Sequence, residues 1–345
     1  LVLIFPLGAL GALYMAVVGG LGLVGPATAV VLPLGLPDLP FHLRLDALSG
    51  FFLLLLGAAA LGVTLYAWGY FRHLAAPARA LVGLWYHLFL AGMATVLLAN
   101  DAYAFMVAWE VMALSSYFLV TTEHHRPEIR QAGFLYLLIA HVGAVALLLC
   151  FGVLQGGHGA YTFAYMREAV VTPFWASVAF LLALLGFGAK AGLVPLHVWL
   201  PEAHPAAPSP VSALMSGVML KTAIYGLLRV TFDLLHVQQG WWGTLALTLG
   251  LITALYGVIF AAVQADMKRL LAWSSIENIG VLLAGFGLSL IFYTDGQGAL
   301  AAYVMVKFFG VTFLGVARSA AVAKAHEAGW RQRLGMVWLA GWCWR

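Results

Sequence analysis

Runs of about twenty apolar residues recur along this chain, and a helix of that length, at 1.5 Å per residue, crosses the hydrocarbon core of a bilayer. Inside lipid no water can satisfy backbone N–H and C=O groups, so such runs must bond within themselves as helices. The runs lie near residues 1–25, 48–69, 80–99, 102–121, 131–154, 174–194, 210–231, 242–264, 269–293 and 299–317, and another starts at Leu334. The expected fold is an all-α, polytopic transmembrane helical bundle. Composition agrees: the 345 residues are 63% hydrophobic and 9% charged, where a soluble domain carries roughly 25% charged residues. Between the first two runs, AVVLPLGLPDLPFHLRLDAL (29–48) is rich in Pro and Val and reads as a short extended surface hairpin.

Several classes of function drop away. Cys150 and Cys343 stand far apart in apolar runs and suggest neither a disulfide framework nor a metal site. The net charge of +4 is small and no basic cluster interleaves with aromatics, which argues against nucleic acid. No HExxH, CxxC, P-loop or GxGxxG context occurs, so no metal, nucleotide or flavin is expected in this chain. No signal peptide is visible, and a chain running from Leu1 to LAGWCWR reads as a fragment of something longer.

Loop charges set the expected orientation. The loops after the second, fourth, eighth and tenth runs hold Arg72, Arg79, Arg126, Arg130, Lys268, Arg269, Arg318, Lys324, Arg331 and Arg333. The opposite loops hold Arg44, Arg167 and Arg229. Basic residues favour the cytoplasmic side, so the first set is expected there. The same alternation lets the region 174–208 cross only once. Its tail, LVPLHVWLPEAHPAAPSP, is then expected to fold back as a half-helix and loop.

Five ionisable residues remain at membrane depth: Glu110, Lys190, Lys221, Glu277 and Lys307. A charge there is costly and usually marks an ion or proton path. Lys190 stands out because GFGAK precedes it and AGLVP follows, a glycine and proline interruption typical of a broken transporter helix. Carbonyls freed by the break would solvate its ammonium; the plain alternative is a lysine capping a helix C-terminus. Burial opposes an ammonium and a nearby carboxylate supports it. Glu110, in the middle of AYAFMVAWEVMALSSYFLVTT, is therefore expected within ion-pair or single-water reach of Lys190, making it hold or release a proton. The alternative is a protonated carboxyl bonded to a neighbouring helix. Lys221 lies too deep for easy snorkelling and reads as a relay, the alternative being a static ion pair. Glu277, beside Ser274, Ser275 and Asn278, is either a water-holding site or helix–helix glue. Lys307 is balanced between function and snorkelling.

The histidines are weaker signals. His197 and His204 flank the break and would extend a relay. His87 and His141 read as satisfied core groups, and His124 and His125 as solvated loop residues. Tyr, Trp and Phe read as packing and interfacial belts.

The run KAGLVPLHVWLPEAHPAAPSPVSALMSGVMLKTAIYGLLR resembles the fingerprint of the antiporter-like membrane subunits of respiratory complex I, Mrp-type sodium/proton antiporters and energy-converting hydrogenases. WEVMALSSYFLV resembles the helix carrying that family's glutamate, and QADMKRLLAWSSIENIG the helix opening its second repeat. The wording PEAHPAAPSPVSALMSG favours the branch of hydrogenase-4 component B and formate hydrogenlyase subunit 3. The resemblance implies two inverted five-helix repeats, each with a broken helix. Residues 1–79 would be N-terminal helices with the hairpin, 80–231 the first repeat, 242–293 the start of the second, and 298–345 C-terminal helices. It implies that Glu110 and Lys190 form a switch, that Lys221 passes protons inward, and that the subunit sits in the inner (cytoplasmic) membrane of the cell. Iron–sulfur, nickel–iron or flavin and quinone centres would lie in partner subunits, leaving this chain without redox chemistry. One departure stands out. The family's NHALFK-like helix and second broken helix do not follow Glu277, and the sequence steps over that material near Asp295–Gly298. A sodium/proton antiporter subunit and a truncated structural scaffold are the rival readings.

Overall fold

The membrane-crossing helices begin where the sequence supplies a cap or a preset turn. Asp46, Asp101 and Asp266 are N-caps whose carboxylates accept from the backbone N–H of Ser49, Ala104 and Arg269, and proline stands in the first turn of three other helices. Both devices satisfy or remove the orphan donors of a first helical turn. The computed structural model describes residues 3–157, 159, 161–298, 300, 302–305 and 307. In chain order the elements are α1 (Ile4–Val24), β1 (Thr28–Leu36), β2 (Leu39–Leu45), α2 (Ala47–Tyr70), α3 (Ala76–Leu98), α4 (Ala102–Val120), α5 (Pro127–Leu154), α6 (Phe163–Glu168), α7 (Pro173–Ala191), α8 (Leu200–Ala206), α9 (Ser209–Leu214), α10 (Leu220–Leu228), α11 (Gly240–Ala262) and α12 (Met267–Thr294).

Among the described residues nine segments are long and apolar enough to cross a membrane. Their bounds follow the first nine apolar runs, and the chain is a multi-pass helical membrane protein. The extended hairpin is present as the antiparallel pair β1–β2, with Thr28 opposite Leu45 and Leu36 opposite Leu39. The run 299–317, the one from Leu334 and most of 298–345 lie outside the described residues. Residues 302–305 and Lys307 are helical, and Lys307 is exposed.

Helix pairs close on small residues, as expected where lipid supplies no hydrophobic drive between helices. In the α11–α12 pair, a Cβ added to Gly243 would stand 2.8 Å from the Gly287 carbonyl, and one on Gly250 would stand 2.8 Å from that of Gly280. Only glycine permits that backbone approach.

The segment bearing the break crosses in two pieces. After α7 come a 3₁₀ turn at Leu196–Trp199 and then α8. The tail does not fold back. It runs on to the end of the molecule where the basic loops gather, and there Lys268 Nζ donates to the carbonyls of Pro205 and Ala207 at 3.3 and 2.8 Å. The lysine grips the carbonyls that α8 leaves unpaired at its C-terminus, which holds the tail on course. The chain then returns through α9, a π-helical turn (Met215–Met219), α10 and a second π turn (Arg229–Leu234).

At the opposite end one buried arginine ties the second π turn to the start of α2. Arg229 grips both oxygens of Asp46 at 2.7 and 2.8 Å, donates to Asp233 at 3.0 Å and to Ser49 at 2.9 Å. Arg167 of α6 takes Asp233 from the other side at 2.8 and 2.9 Å and reaches Asn100. Bidentate pairs of this kind are strong, and removing one partner from a buried pair costs roughly 3–5 kcal/mol. Burial alone would raise the pKa of Asp46, but hydrogen bonds from Arg229 and its charge, with Ser49 adding to them, hold that carboxyl well below the usual carboxylate range. A depressed folded value stabilises at all pH above the unfolded value and is lost only as pH falls through the folded one. Arg229→Met should therefore lower unfolding free energy in lipid nanodiscs by about 3–5 kcal/mol. The deficit of Asp46→Asn should be constant from about pH 8 to about pH 5 and shrink only below about pH 4, as read by tryptophan fluorescence during thermal unfolding.

Candidate functional site: the buried lysines

The sequence GFGAKAGL ends α7 in the middle of the protein. Gly192 adopts φ +81°, and the N–H groups of Gly192 and Leu193 both return to the Gly188 carbonyl at 2.9 and 3.0 Å. Glycine suits this left-handed cap because a Cβ is disfavoured there. Trp199, from the 3₁₀ turn, donates its indole N–H to the Ala189 carbonyl at 2.9 Å and so closes the break.

Lys190 sits in that last turn, 2% exposed. Its Nζ donates to the hydroxyl of Tyr136 at 2.6 Å and stands 4.9 Å from the centre of the tyrosine ring. The Tyr136 hydroxyl in turn lies 2.5 Å from Ser116 Oγ on α4. Ser116 donates to the carbonyl of Met112 at 2.7 Å or of Ala113 at 2.9 Å. Tyr136 also packs on Trp199, with ring centres 4.9 Å apart, and its hydroxyl lies 3.9 Å from the Met219 sulfur, two residues before Lys221.

The direct Glu110–Lys190 ion pair is not formed. Glu110 lies 3.6 Å from His141 Nε2 on α5, and the two side chains are 32% and 52% exposed. The physical reason is the order of the helices: α5 packs against both α4 and α7. Six residues separate Glu110 from Ser116, roughly 9 Å along the axis and about 120° around it. When Ser116 faces the lysine, Glu110 faces the outer wall, among the exposed Val107, Val111 and Leu114. His141 is hydrogen-bonded, as the sequence suggested, but it belongs to that wall and not to the core.

Lys221 is 7% exposed and begins just past the first π turn, where its Nζ donates to the Ser216 carbonyl at 2.7 Å. Ser216 Oγ meets Ser275 Oγ at 2.6 Å, so this lysine's turn is joined to α12. Glu277 stands two residues further on, half-buried. Asn278 bonds the Ser274 carbonyl at 2.9 Å within the same helix, so the polar cluster around Glu277 is partly self-satisfied. His204 is buried, with Nδ1 3.0 Å from Ser212 Oγ, and His197 packs edge-on against Tyr256. Each has one buried ring nitrogen without a partner among the described residues, Nε2 of His204 and Nδ1 of His197, and so does Nε2 of His87. Lys307 is the last described residue and is exposed.

A cavity of about 630 Å³ opens at the basic-loop end under α8, lined by Thr122, Arg126, Glu202, Ala207, Lys268 and Arg269 among others. Sequence reasoning missed Tyr136 and Ser116. A tyrosine near the start of a span looks like an interfacial anchor, and serines in a helix look like packing residues. The signal was Lys190 itself, which needs an acceptor, and the acceptor that packing brings to it is a hydroxyl 54 residues away.

The profile of the NADH:quinone oxidoreductase/Mrp antiporter transmembrane family matches residues 99–340, the stretch from the start of α4 through both lysines and beyond. The chain belongs to this family. It is 44% identical to hydrogenase-4 component B of Escherichia coli (strain K12) over 72% of this chain and 37% of that protein. It is 32% identical to formate hydrogenlyase subunit 3 of the same strain over 87% of this chain and 47% of that one. The chain thus spans less than half the length of these relatives. Among solved structures, the Mrp complex from Dietzia sp. superposes with a TM-score of 0.69 at 28% identity, over 90% of this chain and 35% of that one.

Close packing of α5 on α7 is what brings Tyr136 to Lys190. A Cβ on Gly186 would stand 2.6 Å from the Leu147 side chain and 2.8 Å from the Gly143 carbonyl, whereas one on Gly152 would meet open space. Gly186→Ala should therefore destabilise the protein by about 1–3 kcal/mol through overpacking. Gly152→Ala should be neutral or stabilising by up to about 1 kcal/mol, because alanine is the better helix former. Thermal unfolding of the two variants side by side makes the comparison.

Proposed function

We propose that this chain is a proton-translocating integral membrane subunit of a membrane-bound hydrogenase, formate hydrogenlyase or NADH:quinone oxidoreductase-like complex, seated in the inner (cytoplasmic) membrane. The observation that carries this reading is Lys190: a buried ammonium at a helix break, bonded to a neutral hydroxyl and, among the described residues, to no carboxylate. Such a group has little structural purpose and can hold a proton or give it up.

In this reading protons enter from the basic-loop end through the cavity beneath α8. The unpartnered ring nitrogens of His204 and His197 flank the break and offer stepping points toward Lys190 and Lys221. Lys221, linked through Ser216 and Ser275 to the helix of Glu277, passes the charge toward α12. The segments 80–231 and 242–293 would be a first repeat and the start of a second, inverted one. The energy would come from electron transfer in partner subunits bearing iron–sulfur, nickel–iron or flavin and quinone centres. A half-exposed Glu110–His141 pair at membrane depth is expensive against lipid, which supports a neighbouring subunit on that wall.

The second reading, a subunit of a stand-alone sodium/proton antiporter, is favoured by the likeness to the Mrp complex. Co-purification with a hydrogenase large subunit decides for the first. Lys190→Ala, in the assembled complex reconstituted in vesicles, should leave electron transfer partly active and abolish the proton gradient seen by a pH-sensitive dye. A normal dye response in that variant would sink the proposal.

A further inference from the structure

The Glu110 helix and the Lys190 helix are joined by an unbroken chain of side chains that contains no carboxylate. Lys190 Nζ, Tyr136 Oη and Ser116 Oγ follow one another at 2.6 and 2.5 Å. An ammonium has protons to donate and no lone pair, so its contact with Tyr136 uses the tyrosine oxygen as acceptor. The single phenolic hydrogen then points at Ser116 Oγ at 2.5 Å, a nearer and stronger acceptor than the Met219 sulfur at 3.9 Å. Ser116 accepts it and turns its own hydrogen back to the carbonyl of Met112 or Ala113. Every hydrogen in the row thus points away from Lys190 and into α4.

We propose that the Tyr136 hydroxyl is the positioning group that carries the protonation state of Lys190 to α4, and through α4 to Glu110. This rests on the proton-translocating reading of Lys190. When Lys190 is charged, the row has the polarity just described. When Lys190 loses its proton, its nitrogen gains a lone pair, and the Tyr136 O–H turns to donate to it. Ser116 then loses a donor, and its back-bond to α4 rearranges between the two carbonyls within reach. No proton travels along the tyrosine; one hydroxyl rotates. Serine back-bonding of this kind bends helices, so the change acts on the backbone of α4 itself. Glu110 stands less than two turns away on the same helix.

The ring is well held for this task. Tyr136 is 1% exposed and packs on Trp199, which closes the break, while its hydroxyl touches Met219 in the π turn ahead of Lys221. Swinging the hydroxyl hydrogen needs no movement of the ring.

The test compares Tyr136→Phe, Ser116→Ala and Lys190→Ala in the assembled complex in membrane vesicles. Tyr136→Phe keeps the ring and removes only the hydroxyl, so assembly should be normal. The equilibrium between the charged and neutral forms of Lys190 should shift by about tenfold or more, the factor expected for losing one hydrogen bond to a charged group, and protons moved per electron pair should fall. Ser116→Ala keeps the first contact and breaks the second, and should fall likewise. Infrared difference spectra with ring-labelled tyrosine, recorded on energisation, should show a C–O band change in the unmodified protein. That band should vanish in Tyr136→Phe and in Lys190→Ala, a result that mere packing would not give. Unchanged coupling and no tyrosine band, with Lys190→Ala still inactive, would overturn the role of Tyr136 and leave the lysine reading standing. Retained transport in Lys190→Ala would overturn both.

Discussion

A helix broken inside lipid must find partners for the groups it frees, and the arrangement of this protein follows from how α7 meets that demand. The Gly192 cap returns two N–H groups to the Gly188 carbonyl, and the Trp199 indole takes the Ala189 carbonyl. Those two solutions fix where Trp199 stands. Trp199 in turn forms one wall against Tyr136, and Tyr136 can reach Lys190 only because Gly143 and Gly186 let α5 and α7 close up. Backbone satisfaction thus reaches the chemistry in three packing steps. The principle is general: irregular backbone survives at membrane depth only where protein groups or a wet cavity replace water.

Charged groups in this protein are handled in two opposite ways. Near the end bearing Arg44, Arg167 and Arg229, each of these arginines has a carboxylate within 3.6 Å, and Arg167 and Arg229 hold theirs through bidentate hydrogen bonds. Such a cluster is costly to disturb and resists titration. At Lys190 the acceptor is neutral, the phenol of Tyr136. The first arrangement fastens helices together. The second leaves a charge that is solvated but not locked.

The sequence announces the scaffold clearly because the rule behind it is coarse. Apolar length alone places nine spans, and the Pro- and Val-rich composition of 29–48 places the hairpin. The helix break at Gly192 is equally visible, since glycines and a proline leave few other readings. The course of the tail was misjudged because it depends on Lys268, over sixty residues away, gripping the end of α8. The partner of Glu110 was misjudged for a similar reason. Which helix lies between α4 and α7 is a tertiary fact, and rotation of about 120° between Glu110 and Ser116 decides which of them faces Lys190. Hydroxyl residues carry no charge to draw attention in an apolar run, so the Tyr136–Ser116 link was invisible until the helices were packed.

A neutral acceptor also suits a lysine that must change state. Removing one partner from a buried ion pair costs roughly 3–5 kcal/mol, while a hydrogen bond to a charged group contributes about 1.5–3 kcal/mol. Had Glu110 stood beside Lys190, each loading and unloading of the lysine would have left a buried carboxylate unpaired. With Tyr136 there instead, the acceptor has no charge to strand, and its hydroxyl can donate to the neutral amine as readily as it accepts from the ammonium. Both protonation states of Lys190 then keep a hydrogen-bonded partner at the same site. The carboxylate can remain on the outer wall with His141, in contact with the lysine only through the helix that carries it.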